Sequence, residues 1–175
     1  MLSGCVISDG VPQFYGPWQS DIERAYNSSV TSDRAKQILC SGSITTEHVA
    51  EMNKALKSCL ANVGITDVSI DGYGSLQITT SSDIPESVVS SHEMACEETS
   101  GWYPVVSLYV SMRQNPNKGD FDQLFADCLV RVGLVPKGFT GADVNAEYSG
   151  KGNGFADISS SPFFASCYYD PLSTR

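Results

Sequence analysis

The sequence predicts an α+β fold: a mostly helical single domain with about four helices and one small β-hairpin, stapled by disulfides. Three observations predict it. Apolar residues recur at steps of three and four over several stretches, as on the buried face of a helix. The period changes to two after Thr66, which is typical of paired strands. Six cysteines, with no Cys-x-x-Cys pair among them, favour disulfides over a zinc site.

The first two predicted helices begin at residues that can cap a helix. Ser20 can cap the first, and the polar stretch 28–32 can break it. Thr45 can cap the second, whose apolar residues continue at helical steps until Gly64 ends it. This is the best specified helix of the chain.

The hairpin is predicted from Val68 and Ile70 on one side of a glycine-bearing turn and Leu76 and Ile78 on the other. Residues 80–90 are polar and predict a loop.

A third helix is predicted over about 91–113. Pro104 conflicts with a continuous helix, so we expect a kink or two helices that meet at Gly101. Asp120 can cap a fourth helix that Gly133 ends. After Pro136 the chain looks loop-like, with room for a short helix near residue 140.

Two short segments echo each other, Cys59 to Gly64 and Cys128 to Gly133. In each, a cysteine precedes by five residues a glycine that can take the left-handed conformation ending a helix. Both cysteines lie on the apolar side of their helix, so their thiols point inward, toward partners elsewhere in the chain. Disulfides persist outside the reducing cytosol, and we therefore expect an extracytoplasmic protein.

The amino terminus suggests a lipid anchor. Leu2-Ser3-Gly4-Cys5 has the form of a lipobox, in which small residues precede a cysteine that becomes lipidated. We therefore expect Cys5 to carry a lipid on the outer face of a cell membrane. Residues 1–19 are expected to form a tether that docks through its aromatic residues, and residues 20–175 the single domain. No run of eighteen apolar residues occurs in the chain.

The charge balance argues against nucleic acid as a partner. The net charge is −9 and the isoelectric point is near 4.5. A protein that binds nucleic acid usually presents a basic stripe that displaces counterions from phosphates. An acidic surface suits solubility or a cationic partner.

Several segments resemble a family of secreted actinobacterial lipoproteins of uncharacterised function. They are Ile38 to Thr45, Cys59-Leu60-Ala61 with Gly64, Asn115-Pro116, Asp120, Cys128-Leu129-Val130 with Gly133-Leu134-Val135, Gly138-Phe139-Thr140, and Cys167 with Asp170-Pro171-Leu172. The resemblance runs with gaps from about residue 34 to 172. It implies the envelope location and two bridges, Cys59–Cys96 and Cys128–Cys167. Cys40 stands where the family has a small residue, so we expect a buried free thiol there.

Signatures of catalysis are weak throughout. Ser-His chemistry at His92 lacks the elbow motif that presents a nucleophile. The glycines at 150, 152 and 154 lack the spacing of a phosphate loop. The two acidic runs, 83–98 and 120–127, are explained by solvated faces and helix amino termini, although paired carboxylates could serve a hydrolase. We predict no catalytic residue, metal or cofactor.

Exposed aromatic and acidic residues remain as the candidate binding surface. They are Tyr73, Trp102, Tyr103, Asp83 and Glu86. We therefore expect a tethered, non-enzymatic binding module for a protein or small ligand. Two alternatives are an envelope hydrolase that uses paired carboxylates and a defence or immunity lipoprotein that captures a cationic agent. The sequence leaves the oligomeric state open.

Overall fold

The computed structural model describes residues 5–8, 11–72, 74–79, 84–152 and 155–173. The chain divides into two compact units, residues 1–110 and 111–175. The first unit contains β1 (Cys5–Ser8), β2 (Val11–Phe14), α1 (Gln19–Asn27), α2 (Asp33–Cys40), α3 (Thr46–Asn62), β3 (Asp67–Ile70), β4 (Leu76–Thr79), α4 (Glu86–Ser100) and most of α5 (Trp102–Gln114). The second contains α6 (Phe121–Arg131), α7 (Gly141–Tyr148), α8 (Phe155–Ile158) and α9 (Pro162–Tyr169).

The fold is mostly helical, as predicted, but the count of about four helices is wrong. Nine helices lie in the described part of the chain. The predicted first helix is broken before Ser32, whose hydroxyl accepts from the Ala35 N–H and caps α2. The third is broken at Gly101, and α4 already begins at Glu86, inside the predicted loop. Beyond Pro136, three short helices fold where mostly loop was expected.

The predicted hairpin is confirmed by β3 and β4, which pair antiparallel with Val68 opposite Ile78 and Ile70 opposite Leu76. A second pair, β1 and β2, lies within the predicted tether. There Phe14 is buried and its ring lies 5.4 Å from that of Tyr26, while Tyr15 is exposed. Phe14 therefore docks the amino-terminal segment onto α1.

The two units have cores of different chemistry. In the first unit, aliphatic side chains of α2, α3 and α5 pack with Cys96 and Trp102. Those with no exposed surface are Ala35, Leu56, Leu60 and Val105. In the second unit, the core is built around Phe125, which is in contact with the rings of Phe121, Phe155, Phe164 and Tyr168.

Each unit contains one of the two expected bridges. Cys59–Cys96 joins α3 to α4, and Cys128–Cys167 joins α6 to α9. The pairing implied by the family resemblance is confirmed. The expectation of a free thiol at Cys40 is wrong, because Cys40 is disulfide-bonded. It is the last residue of α2, which lies beside β1, a contact that the family pattern gave no reason to expect.

Candidate functional site

An apolar concavity of the first unit lies between the α1–α2 turn and the α4–α5 junction. We call it the interhelical groove. It has a volume of about 290 Å³ and is lined by Val30, Met94, Glu97, Glu98, Tyr103 and Pro104.

The α1–α2 turn holds Val30 in solvent. The Thr31 hydroxyl donates to the Ala25 carbonyl at 2.6 Å, and the Thr31 N–H donates to the Ser28 carbonyl at 3.2 Å. Thr31 itself is buried, so the turn is fixed from inside. Val30 is left 51% exposed at the edge of the groove. An apolar side chain held in this way is available to a partner without rearrangement of the backbone.

Gly101 allows the other wall of the groove to form. It takes the left-handed conformation (φ 72°) between α4 and α5. A Cβ placed on it would lie 2.6 Å from the Ala35 Cβ and closer still to the Ser32 hydroxyl. Only glycine therefore lets the α4–α5 junction approach the start of α2 this closely. Pro104 lies in the first turn of α5, where a missing N–H costs no helical hydrogen bond.

Trp102 anchors the junction and does not belong to the binding surface. Its side chain is only 5% exposed, and its indole N–H donates to the Asn53 Oδ1 at 2.6 Å. The expectation that Trp102 is a surface residue is therefore wrong: at the start of α5 it faces the core, and its neighbour Tyr103 faces outward. The Cys59–Cys96 bridge ties the same wall to α3.

The groove presents two large, exposed apolar side chains. Tyr103 is 62% exposed and Met94 is 63% exposed. Methionine adapts its shape to varied partners, and tyrosine offers a large surface at low entropic cost. Exposed apolar groups gathered in one concavity are typical of a binding surface.

The charge of the groove is negative. Glu97 and Glu98 line it, and Glu97 is half-buried. Burial raises the pKa of the Glu97 carboxyl above its ordinary value, and the nearby Glu93 raises it further. Neither of the two ion pairs found in the described ranges, Arg24–Asp21 and Arg34–Glu51, involves a groove residue.

Of the predicted surface residues, the structure brings only Tyr103 to the groove. Glu86 is exposed in the first turn of α4 but does not line the groove. Tyr73 and Asp83 lie outside the described residues. Sequence reasoning missed Val30, Met94 and Pro104. Met94 could have been suspected, since it falls off the apolar stripe that Val89 and Cys96 define on α4.

His48 has a structural role, and the position of His92 does not indicate catalysis. The Nδ1 of His48 accepts from the Thr45 N–H at 3.2 Å, and the Thr45 hydroxyl accepts from the His48 N–H, which completes a capping box on α3. His92 lies on α4 beside Ser90 and Ser91, with no hydrogen bond to either in the described ranges. Residues next to each other on a helix point in different directions, and a catalytic dyad does not follow.

The acidic run at the start of α6 is used for structure. Asp120 accepts from the Gln123 N–H and caps the helix. The Gln123 side-chain amide donates to Asp127 at 2.8 Å, and its carbonyl accepts from the Gly141 N–H at 3.0 Å. Within residues 5–8, 11–72, 74–79, 84–152 and 155–173, no group of three or more metal-ligating side chains comes together.

The glycine-bearing loop after α7 is closed by Glu147, which accepts from the Phe155 N–H at 3.4 Å. A loop that binds phosphate leaves its N–H groups free for the anion. Here a carboxylate already accepts from one of them, which is the opposite arrangement.

None of the described helices has the length and hydropathy needed to cross a bilayer. Comparison of the chain with protein-family models, with curated proteins and with solved structures found no match.

Proposed function

We propose that this protein is an extracytoplasmic, non-enzymatic binding module that takes its partner in the interhelical groove. The interhelical groove is the main support for this proposal. It exposes Val30, Met94 and Tyr103 together, on a backbone fixed by Thr31, Gly101 and the Cys59–Cys96 bridge. A fixed apolar surface binds at a lower entropic cost than one that must first be ordered.

The location is supported by the disulfides, since such bridges are rare in a reducing cytosol. We further propose membership of the secreted lipoprotein family that the sequence resembles, with Cys5 as the lipidated residue. Intact mass of the protein from a membrane fraction, with and without reduction, distinguishes a lipid mass on Cys5 from its absence.

The hydrolase alternative is less well supported by the groove. A carboxylate hydrolase needs one acid on each side of the bond that it cleaves. The carboxylates that line the groove, Glu97 and Glu98, are consecutive on one helix. The raised pKa of Glu97 is the one feature that this alternative explains, and it is explained equally by burial beside Glu93.

The binding function can be tested with Nile red, a neutral dye that fluoresces more strongly in apolar sites. We expect the full chain to enhance its emission, and the variants Met94→Ser and Tyr103→Ser to lose most of the enhancement. Val88→Ser is the matched control, because Val88 is 41% exposed on the same helix but does not line the groove. Equal enhancement by all four proteins would overturn the assignment of the groove.

A further inference from the structure

The occupant of the groove can be specified from its charge and shape. Its walls are apolar at Val30, Met94 and Tyr103, and among the described residues the charged ones that line it are Glu97 and Glu98. A partner that complements both features carries a positive charge on an apolar stem. Lysine and arginine have this build, because they bury their aliphatic stems while the charged end reaches a polar group.

Glu97 is the carboxylate best placed to meet such a charge. It is half-buried, and no cation of the described residues forms an ion pair with it. Glu93, a charge of the same sign, acts on it as well, so burial and repulsion both disfavour the ionised form in the unoccupied groove. A bound cation would remove both penalties. Tyr103 offers in addition a ring face on which a cation can lie.

The exposure of the walls favours a protein segment over a small molecule. A cavity that holds a drug-sized ligand buries most of its surface, and such cavities begin at about 300 Å³. Here Met94 and Tyr103 keep about 60% of their surface in solvent, so a lone small ligand would leave much of both uncovered. A segment with apolar residues on either side of its cation would cover them.

Resting on the proposed binding function, we propose that the groove takes a lysine or arginine side chain from a basic, amphipathic segment of a partner protein, with Glu97 as its counter-charge. Binding then requires the cation as well as the apolar contact. Capture of a cationic agent, the defence alternative above, would be one biological use of this chemistry.

The test uses a synthetic amphipathic peptide of leucine and lysine, and the same peptide with every lysine acetylated. Calorimetric titration of the full, oxidised chain at physiological salt should show binding of the first peptide and at least about tenfold weaker binding of the second. Glu97→Gln should weaken binding of the lysine peptide by about tenfold as well. Asp157→Asn is the control, because it removes the same charge from an exposed residue of the other unit and should leave the affinity unchanged.

Four other outcomes would overturn the inference. Equal binding of both peptides would show that the groove is an apolar site in which binding does not require a cation. Equal losses in Glu97→Gln and Asp157→Asn would show that the peptide follows net charge and not the groove. Binding of free alkylammonium as tightly as the peptide would identify a small organic cation as the occupant. Absence of peptide binding, with Nile red enhancement intact, would reject the basic segment while the proposed function stands.

Discussion

The two units contain the same helix-ending motif, but its cysteine is bonded to a different helix in each. In both, a cysteine near the end of a helix precedes a left-handed glycine, Gly64 or Gly133. The backbone bonds match: Ile65 N–H to Leu60 carbonyl at 2.9 Å, and Leu134 N–H to Leu129 carbonyl at 3.0 Å. These are the bonds of a Schellman helix ending. The bridge then leads to α4 in one unit and to α9 in the other. A local pattern thus fixes how a helix ends and leaves its tertiary partner to the rest of the chain.

The largest loss of stability is expected in the aromatic core of the second unit. Phe125→Ala removes a fully buried ring that touches four others, and we expect a loss of about 3–5 kcal/mol in the free energy of unfolding. Urea denaturation checks this, with Phe163→Ala as a control that should change stability by less than about 0.5 kcal/mol, since Phe163 is 58% exposed. A similar loss in both variants would contradict the assignment of Phe125 as the centre of this core.

The two bridges should contribute nearly equally. Their sequence separations are 37 and 39 residues, so the chain-entropy model gives about 4 kcal/mol for each. We expect the double variants Cys59→Ala/Cys96→Ala and Cys128→Ala/Cys167→Ala to lose similar stability in urea. A difference of more than about 2 kcal/mol would show that native contacts around a bridge outweigh loop length.

The helix endings offer a smaller, matched test. Gly64→Ala and Gly133→Ala each add a methyl group to open space at positive φ, so the cost comes from the backbone alone. We expect about 1 kcal/mol in each case by chemical denaturation. Gly101→Ala should cost more, because its methyl group would collide with Ser32 and Ala35. Equal losses of stability in all three variants would contradict the close approach of Gly101 to Ser32 and Ala35.

The smallest expected effect concerns Glu97 and depends on pH. Because burial and Glu93 raise the pKa of Glu97 in the folded chain, its contribution to stability is fully present below its ordinary value of 4.5 and is lost as the pH rises through the raised value. At neutral pH we expect Glu97→Gln to be slightly more stable than the original chain. Thermal unfolding from pH 4 to 7 should show this advantage growing with pH; an advantage that shrinks with pH would reverse the assigned shift.

Local features of the fold could be predicted from the sequence because each depends on near neighbours. The caps at Thr45 and Asp120, the β3–β4 pair and the meeting of two helices at Gly101 are examples. The β1–β2 pair and the bond at Cys40 were missed, since strand pairing and disulfide formation depend on distant chain.

The candidate site, too, could be predicted only where it depends on near neighbours in the sequence. Tyr103 was found because an aromatic pair stood out in the sequence, but the inward turn of Trp102 depends on its bond to Asn53, 49 residues away. Val30 and Met94 come together only through the packing of the α1–α2 turn against the α4–α5 junction. That contact cannot be predicted from the spacing of residues in the sequence.

Methionine methyl resonances provide the most direct test of the groove as the binding site. Met94 is exposed in the groove, whereas Met52 is buried in the core of the same unit. In full-length protein labelled with ¹³C at the methionine methyls, titration with the leucine–lysine peptide should shift the Met94 signal and leave that of Met52 in place. A saturable binding event that leaves the Met94 signal unmoved would contradict the account.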